Sequence, residues 1–259
     1  MIWGTGVSRS INGVGGSIFS PSTLSPLAWY DPSYTAGLWK DTAGTSPVTA
    51  DGDAVARIDD RSGNGRHMLQ STLANRPLWK TSGGLSWLEF DGSNDLMIAS
   101  DATITLPSSH EITAAATATQ SAGVTSALLS LADTSMASGN ADLELGTYNA
   151  SGTYRVRSRY LGGVDTFSTG PTLTSPFVIA QSRESSTALN QYRSGVKVGS
   201  TITTATTIGA SKYLRIGQHT SAAQYMSGKL YGLIVTSALS AGDRASLTTW
   251  IGAKAGLTL

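Results

Sequence analysis

Apolar and polar residues alternate with a period of two through much of this chain. Trp87-Leu88-Glu89-Phe90-Asp91 puts Leu88 and Phe90 on one face and Trp87, Glu89 and Asp91 on the other. That is the pattern of a strand packed on one side. Runs of strand character recur at Leu27–Asp31, Ala54–Asp59, Ala141–Thr147, Thr153–Tyr160, Val164–Phe167, Pro176–Arg183, Tyr213–Gly217 and Ser227–Val235. Turn residues separate most of them at about the 8–12-residue spacing of a sandwich. Glu111–Thr119 and Thr125–Leu131, joined by Gln120-Ser121-Ala122-Gly123, predict a hairpin. The alternating Thr residues make Ala114-Ala115-Ala116 strand rather than helix. A second hairpin is predicted across Leu189–Gly199, turning at Ser194-Gly195. One helix is expected near the end: Ser240 is its N-cap with Asp243 three residues on, and Leu247, Trp250 and Ile251 share a face.

Two stretches fall outside the alternation. Asp60-Arg61-Ser62-Gly63-Asn64-Gly65 and Asp91-Gly92-Ser93-Asn94-Asp95 are turns, in which Gly and Asn tolerate left-handed backbone and Asp and Ser bond to nearby N–H groups. Residues 1–26 are Gly-rich with isolated large apolar side chains. They bury no core of their own, yet Ile2, Trp3, Val7, Ile11, Val14, Ile18 and Phe19 are more apolar than a solvated linker needs. The expectation is a docking arm over 1–26 that orders against a partner chain, followed by one domain over 27–259.

With 259 residues the chain is long enough for one large sandwich with a sizeable core. A net charge of +1 and only 14% charged residues give no electrostatic case for nucleic acid or an anionic membrane. Cysteine is absent, which removes disulfides, Cys-ligated zinc and thiol catalysis. No signal-peptide pattern and no membrane-length apolar run is present, so a soluble protein made in the cytoplasm is expected.

The turn motifs carry a resemblance. Asp60-x-Ser62-Gly63-Asn64-Gly65, Arg76-Pro77, Phe90-Asp91-Gly92-Ser93-Asn94-Asp95, the Tyr192-to-Gly195 hairpin, Leu214-x-Ile216-Gly217 with Leu230-x-Gly232-x-Ile234, and Leu239-Ser240-x-x-Asp243-Arg244 together span about residues 27–255. This resembles the concanavalin A-like, laminin-G-like jelly-roll domains of bacteriophage structural and bacterial surface proteins. The resemblance implies an all-β, two-sheet antiparallel jelly-roll sandwich with an extended N-terminal arm and a short C-terminal helix. It also implies a non-enzymatic virion component (capsid decoration, collar, tail or fibre), homo-oligomeric, docked on other virion proteins and contacting host-surface glycans. A free carbohydrate-binding protein or a glycoside hydrolase of the jelly-roll glucanase type is the alternative.

Candidate chemistry is sparse. His67, His110 and His219 have no metal-site spacing and are expected in exposed loops. Asp142 and Glu144 share a strand face, as the paired carboxylates of jelly-roll glucanases do. Asn140 stands where a third acidic residue belongs, so the motif is incomplete and an exposed strand face is expected. The glucanase reading nevertheless makes Asp142 and Glu144 the catalytic candidates. Asp59, Asp60 and Asn64 offer hard oxygen atoms suited to Ca²⁺, the one cofactor considered. Tyr148, Asn149 and Trp39 are the candidate sugar contacts, aromatic faces beside polar groups.

Overall fold

The structure, a computed structural model, describes residues 19–119, 125–132, 143–151, 153–160, 164–167, 176–203, 208, 212–219 and 224–259. Its first strands are short: β1 (Ala28–Tyr30), β2 (Leu38–Trp39), β3 (Arg57–Ile58) and β4 (Met68–Leu69). Then come β5 (Leu78–Ser82), β6 (Leu85–Asp91), β7 (Met97–Ile98), β8 (His110–Ala116), β9 (Thr125–Ala132), β10 (Leu143–Ala150) and β11 (Thr153–Tyr160). The remaining elements are β12 (Val164–Phe167), β13 (Phe177–Arg183), β14 (Ala188–Arg193), β15 (Val196–Thr203), β16 (Tyr213–Ile216), β17 (Ser227–Ser237) and the helix α1 (Ala241–Lys254).

These strands form two antiparallel sheets. The eight-stranded sheet runs β15-β14-β13-β8-β17-β6-β5, with β1 also paired to β17. The nine-stranded sheet runs β12-β11-β10-β9-β16-β7-β4-β3-β2. The expected all-β sandwich with a C-terminal helix is therefore what the chain forms. The Ala114–Ala116 run is strand, completely buried between β13 and β17. The hairpin at Ser194-Gly195 also forms: both residues have positive φ, 47° and 76°, as the favoured two-residue hairpin turn requires. The hairpin expected across residues 111–131 does not. β8 lies in the eight-stranded sheet and β9 in the nine-stranded one. Each is apolar enough to be a central strand, and alternation does not say which sheet a strand joins.

Leu88, Phe90, Ile112, Ala114, Ile179, Leu233 and Val235 from the first sheet meet Leu129, Leu131, Leu143, Leu145, Leu214 and Ile216 from the second. The other face of the eight-stranded sheet is also covered. Trp29, Trp87, Ala115, Val178, Tyr231 and Ile234 pack there against Leu247, Ile251 and Ala255, with Phe19 and Leu24 alongside. Ser240 Oγ accepts the Asp243 amide at 3.1 Å and donates to the Asp243 carboxylate at 2.7 Å, which caps the helix. Burying Leu247 and Ile251 contributes about 1.5–3 kcal/mol each. No helix among the described residues is long and apolar enough to cross a membrane.

Candidate functional site

The outer face of the nine-stranded sheet holds an unusual set of residues. Leu143 and Leu145 point into the core, so Glu144 between them points out. Cross-strand pairing continues its row: Glu144 opposite Ser130, Ser130 opposite Arg215, Arg215 opposite Ile98, then Leu69, Arg57 and Trp39. A bulge at Leu128 keeps both Ser130 and Ala127 on this outer side of β9. One end of the row is buried and ionic; its middle is a groove in which two aliphatic side chains lie among polar ones.

At the buried end, Glu144 is fully inaccessible, which corrects the expectation of an exposed strand face. Arg157 Nη1 donates to its Oε1 at 2.6 Å, and His219 Nε2 lies 3.3 Å from its Oε2. Gly146, directly opposite Arg157, has no side chain and lets the guanidinium lean diagonally towards Glu144. His219 arrives from the turn after β16. That turn needs Gly217 at φ 86°, where a Cβ would stand 2.4 Å from Phe90 Cε1. The turn is fastened by Met226 N donating to Gly217 O at 2.7 Å and His219 N to Gln224 O at 2.9 Å. Ser130 Oγ donates to Gln218 O at 3.1 Å, holding it over the sheet. Glu144, Arg157 and His219 thus form a buried cluster in which a guanidinium and an imidazole face one carboxylate.

In the middle of the row, Leu69 and Ile98 are half-buried and floor a groove of about 460 Å³. Thr42, Ser71, Ser100 and Asp101 stand on its rim. Two aliphatic side chains with hydroxyls and a carboxylate around them match the two-sided character of a sugar ring.

The remaining sequence-derived candidates are dispersed. Trp39 shares the face but ends the row, roughly 30 Å from Glu144 at the usual strand spacing, and its Nε1 donates to Asp59 at 2.9 Å. Tyr148 lies on β10 on the same side as Glu144, half-buried and not in a turn. Asn149, its sequence neighbour, faces the inter-sheet side. Asp142 lies outside the described residues, as do Ile2, Trp3, Val7, Ile11, Val14 and Ile18. Phe19 packs beside α1.

Asp59, Asp60 and Asn64 serve the protein itself. Asp60 Oδ1 accepts the amides of Trp29 and Ser62, each at 3.0 Å, and its Oδ2 accepts Ser62 Oγ at 2.8 Å and the Arg66 amide at 3.1 Å. Asn64 Nδ2 donates to the carbonyls of Pro26 and Leu27. Asp59 accepts Trp39 Nε1 and Arg57 Nε, the latter at 2.7 Å, and lies 3.0 Å from His67 Nδ1, which accepts the Asp60 amide at 3.2 Å. Among the described residues no group of three or more His or acidic side chains is placed to hold a metal ion.

Two histidines also depart from expectation. His110 and His219 are buried rather than in exposed loops. His110 sits at the end of β8, where burial pulls its imidazole down to about 4. Sequence reasoning missed Arg157, Arg215 and His219. A β10–β11 hairpin closing near Ser151 was the one available signal, since it sets Arg157 on the face of Glu144.

No family model matches the sequence, and no curated protein matches it. Solved structures do share the fold. An arabinofuranosidase complexed with arabinofuranosyl-α-1,2-xylobiose aligns with a TM-score of 0.67 at 15% identity, over 92% of this chain and 65% of that one. A Trypanosoma rangeli sialidase in complex with 2,3-difluorosialic acid gives 0.57 at 12%, over 94% and 35%. Domain 4 of AbnA, a GH43 extracellular arabinanase from Geobacillus stearothermophilus, in complex with arabinotriose, gives 0.56 at 14%, over 86% and 98%. This chain thus spans about a third of the sialidase and just under two thirds of the arabinofuranosidase. At these identities the likeness shows the fold alone. It still corrects the expectation of a non-enzymatic chain, because sialidase and arabinofuranosidase structures share this architecture. The chain has the β-sandwich architecture shared by glycoside hydrolases and carbohydrate-binding domains.

Proposed function

We propose that this chain engages a glycan on the outer face of its nine-stranded sheet. The observation that carries the reading is the groove over Leu69 and Ile98, with its hydroxyl and carboxylate rim, in one row with the buried Glu144–Arg157–His219 cluster. The sugar's apolar face lies on the floor and its hydroxyls meet Thr42, Ser71, Ser100 and Asp101. Fold likeness to structures holding arabinotriose and an arabinofuranosyl xylobiose supports the same class of ligand.

Glycan-array binding followed by calorimetry with arabinotriose and xylo-oligosaccharides tests this directly. Leu69→Glu and Ile98→Glu place a charge on the floor and are expected to weaken binding at least tenfold without unfolding the domain. A flat array for the wild-type protein would sink the reading.

Hydrolysis is the second reading, favoured by the placement of Glu144 between a guanidinium and an imidazole. It predicts sugar release from arabinan or xylan that Glu144→Gln abolishes while groove binding persists. Display on a virion through residues 1–26 is compatible with either reading and rests on the sequence resemblance alone.

A further inference from the structure

Arg215 differs from the other buried cations around it. Arg157 has Glu144, and Arg244 on α1 has Glu111 of the opposite sheet. Arg215 is 2% exposed, yet among the described residues it has no carboxylate partner. Its Nη1 donates to Gln218 Oε1 at 2.7 Å, while Nε and Nη2 are buried with no hydrogen-bond partner. A guanidinium does not shed its proton, and native proteins leave few buried donors unmatched. An uncompensated charge of this kind is costly to fold around.

The two idle donors share one edge of the planar guanidinium. That edge receives a carboxylate through two parallel N–H···O bonds. The neutral Gln218 amide holds the other side and fixes the direction of the fork, with Gln218 itself tied to Ser130. Glu144 is two strands away in the row, roughly 10 Å at the usual spacing, and is engaged by Arg157 at 2.6 Å. Ile98 of the groove floor is the direct cross-strand neighbour of Arg215, their Cα atoms about 5 Å apart. Arg215 does not itself line the groove, and its Nε and Nη2 are closed off from solvent, so a ligand meets that edge only as the side chain turns towards Ile98. Asp101, the rim carboxylate, is exposed and its charge is screened by solvent.

We infer that the glycan taken up on this face carries a carboxylate, as a uronic acid does, and that Arg215 anchors it through its Nε–Nη2 edge beside the Leu69–Ile98 floor. This rests on the glycan reading above. The test is calorimetry of the full chain with three probes: a glucuronic-acid-bearing trisaccharide, its carboxyl-reduced neutral counterpart and a sulfated version of the neutral sugar. The acidic sugar is expected to bind at least tenfold tighter than the neutral one and tighter than the sulfated one. Arg215→Gln removes that preference. Arg215→Lys keeps the charge but not the two-bond edge, and is expected to lose most of it. Leu69→Ala weakens acidic and neutral sugars alike. Arg215→Gln also removes an uncompensated buried charge, so its melting temperature should equal or exceed that of wild type; if it does not fold, the Arg215→Lys comparison decides. Equal wild-type affinity for acidic and neutral sugars, or a preference that survives in Arg215→Gln, overturns the Arg215 assignment and leaves the glycan reading standing. Tighter binding of the sulfated sugar overturns the carboxylate. Binding of no probe, together with a flat array, overturns both.

Discussion

Replacing Arg244 with methionine tests how α1 is held to the eight-stranded sheet. Arg244 Nε donates to Glu111 Oε2 at 2.8 Å, and Nη2 donates to Ser182 Oγ at 3.2 Å and Leu239 O at 3.3 Å. The guanidinium also lies 4.1 Å from the Tyr192 ring. Glu111 is fully inaccessible on β8. Burial pushes its carboxyl above the ordinary 4.5, and Arg244 pulls it partway back. Methionine keeps the apolar stem but leaves Glu111 without its counterion. Breaking a buried pair in this way costs about 3–5 kcal/mol. At a urea slope of about 3 kcal/mol per molar, the midpoint falls by roughly 1–2 M. The pH dependence has a definite sign. Glu111 has a folded-state pKa above its unfolded value, so protonation favours the fold. The penalty is absent below about pH 4.5 and grows as pH rises through the folded pKa. The Arg244→Met cost is therefore largest near pH 7 and shrinks towards pH 4. Urea denaturation across that range, repeated in a Glu111→Gln background, isolates the effect, and the double variant should recover most of the loss at pH 7. A cost below about 1 kcal/mol at pH 7, or one that does not change with pH, would refute the clamp.

Three other outcomes are expected. Ser240→Ala removes the helix cap and should cost about 1 kcal/mol in chemical denaturation, whereas Ser240→Asp should cost little. Gly217→Ala sets a Cβ 2.4 Å from Phe90 Cε1 and 2.9 Å from Asp95 O at φ 86°; a loss of about 2–4 kcal/mol is expected, with weakened glycan binding as the Gln218–His219 turn shifts. His110 has its folded pKa lowered to about 4 from 6.5, so the unfolded chain takes up a proton first as pH falls. Wild-type stability should drop by about 3 kcal/mol between pH 6.5 and 4, and His110→Gln should flatten that part of the curve.

Much of the fold was legible because its signals are local. Strand positions follow from period-two alternation, the turn at Ser194-Gly195 from its tolerance of positive φ, and the C-terminal helix from Ser240, Leu247 and Ile251. The failures share one cause. Residues 111–119 and 125–131 read as a hairpin since they are adjacent, yet β8 and β9 pair with partners far along the chain. His219 and Glu144 meet only because β16 lies two strands from β10 and its following turn folds back over the sheet. The Asx-rich turn at 60–66 was legible as a turn, but not its role: Asp60 accepts three backbone amides and a hydroxyl, and one of those amides is that of Trp29 in β1.

By itself, then, the sequence determined the fold class, the C-terminal helix and most of the longer strands, because side-chain alternation and turn chemistry act over a few residues. The two-residue strands β2, β4 and β7 are too short to show alternation, and β2 falls in 33–53, which reads as a polar loop. Only the tertiary structure decided which strands share a sheet and which outward-facing residues become buried. Glu144, Arg215 and Ile98 stand in one row through long-range pairing, and a charge's burial depends on what folds over it rather than on its sequence neighbours.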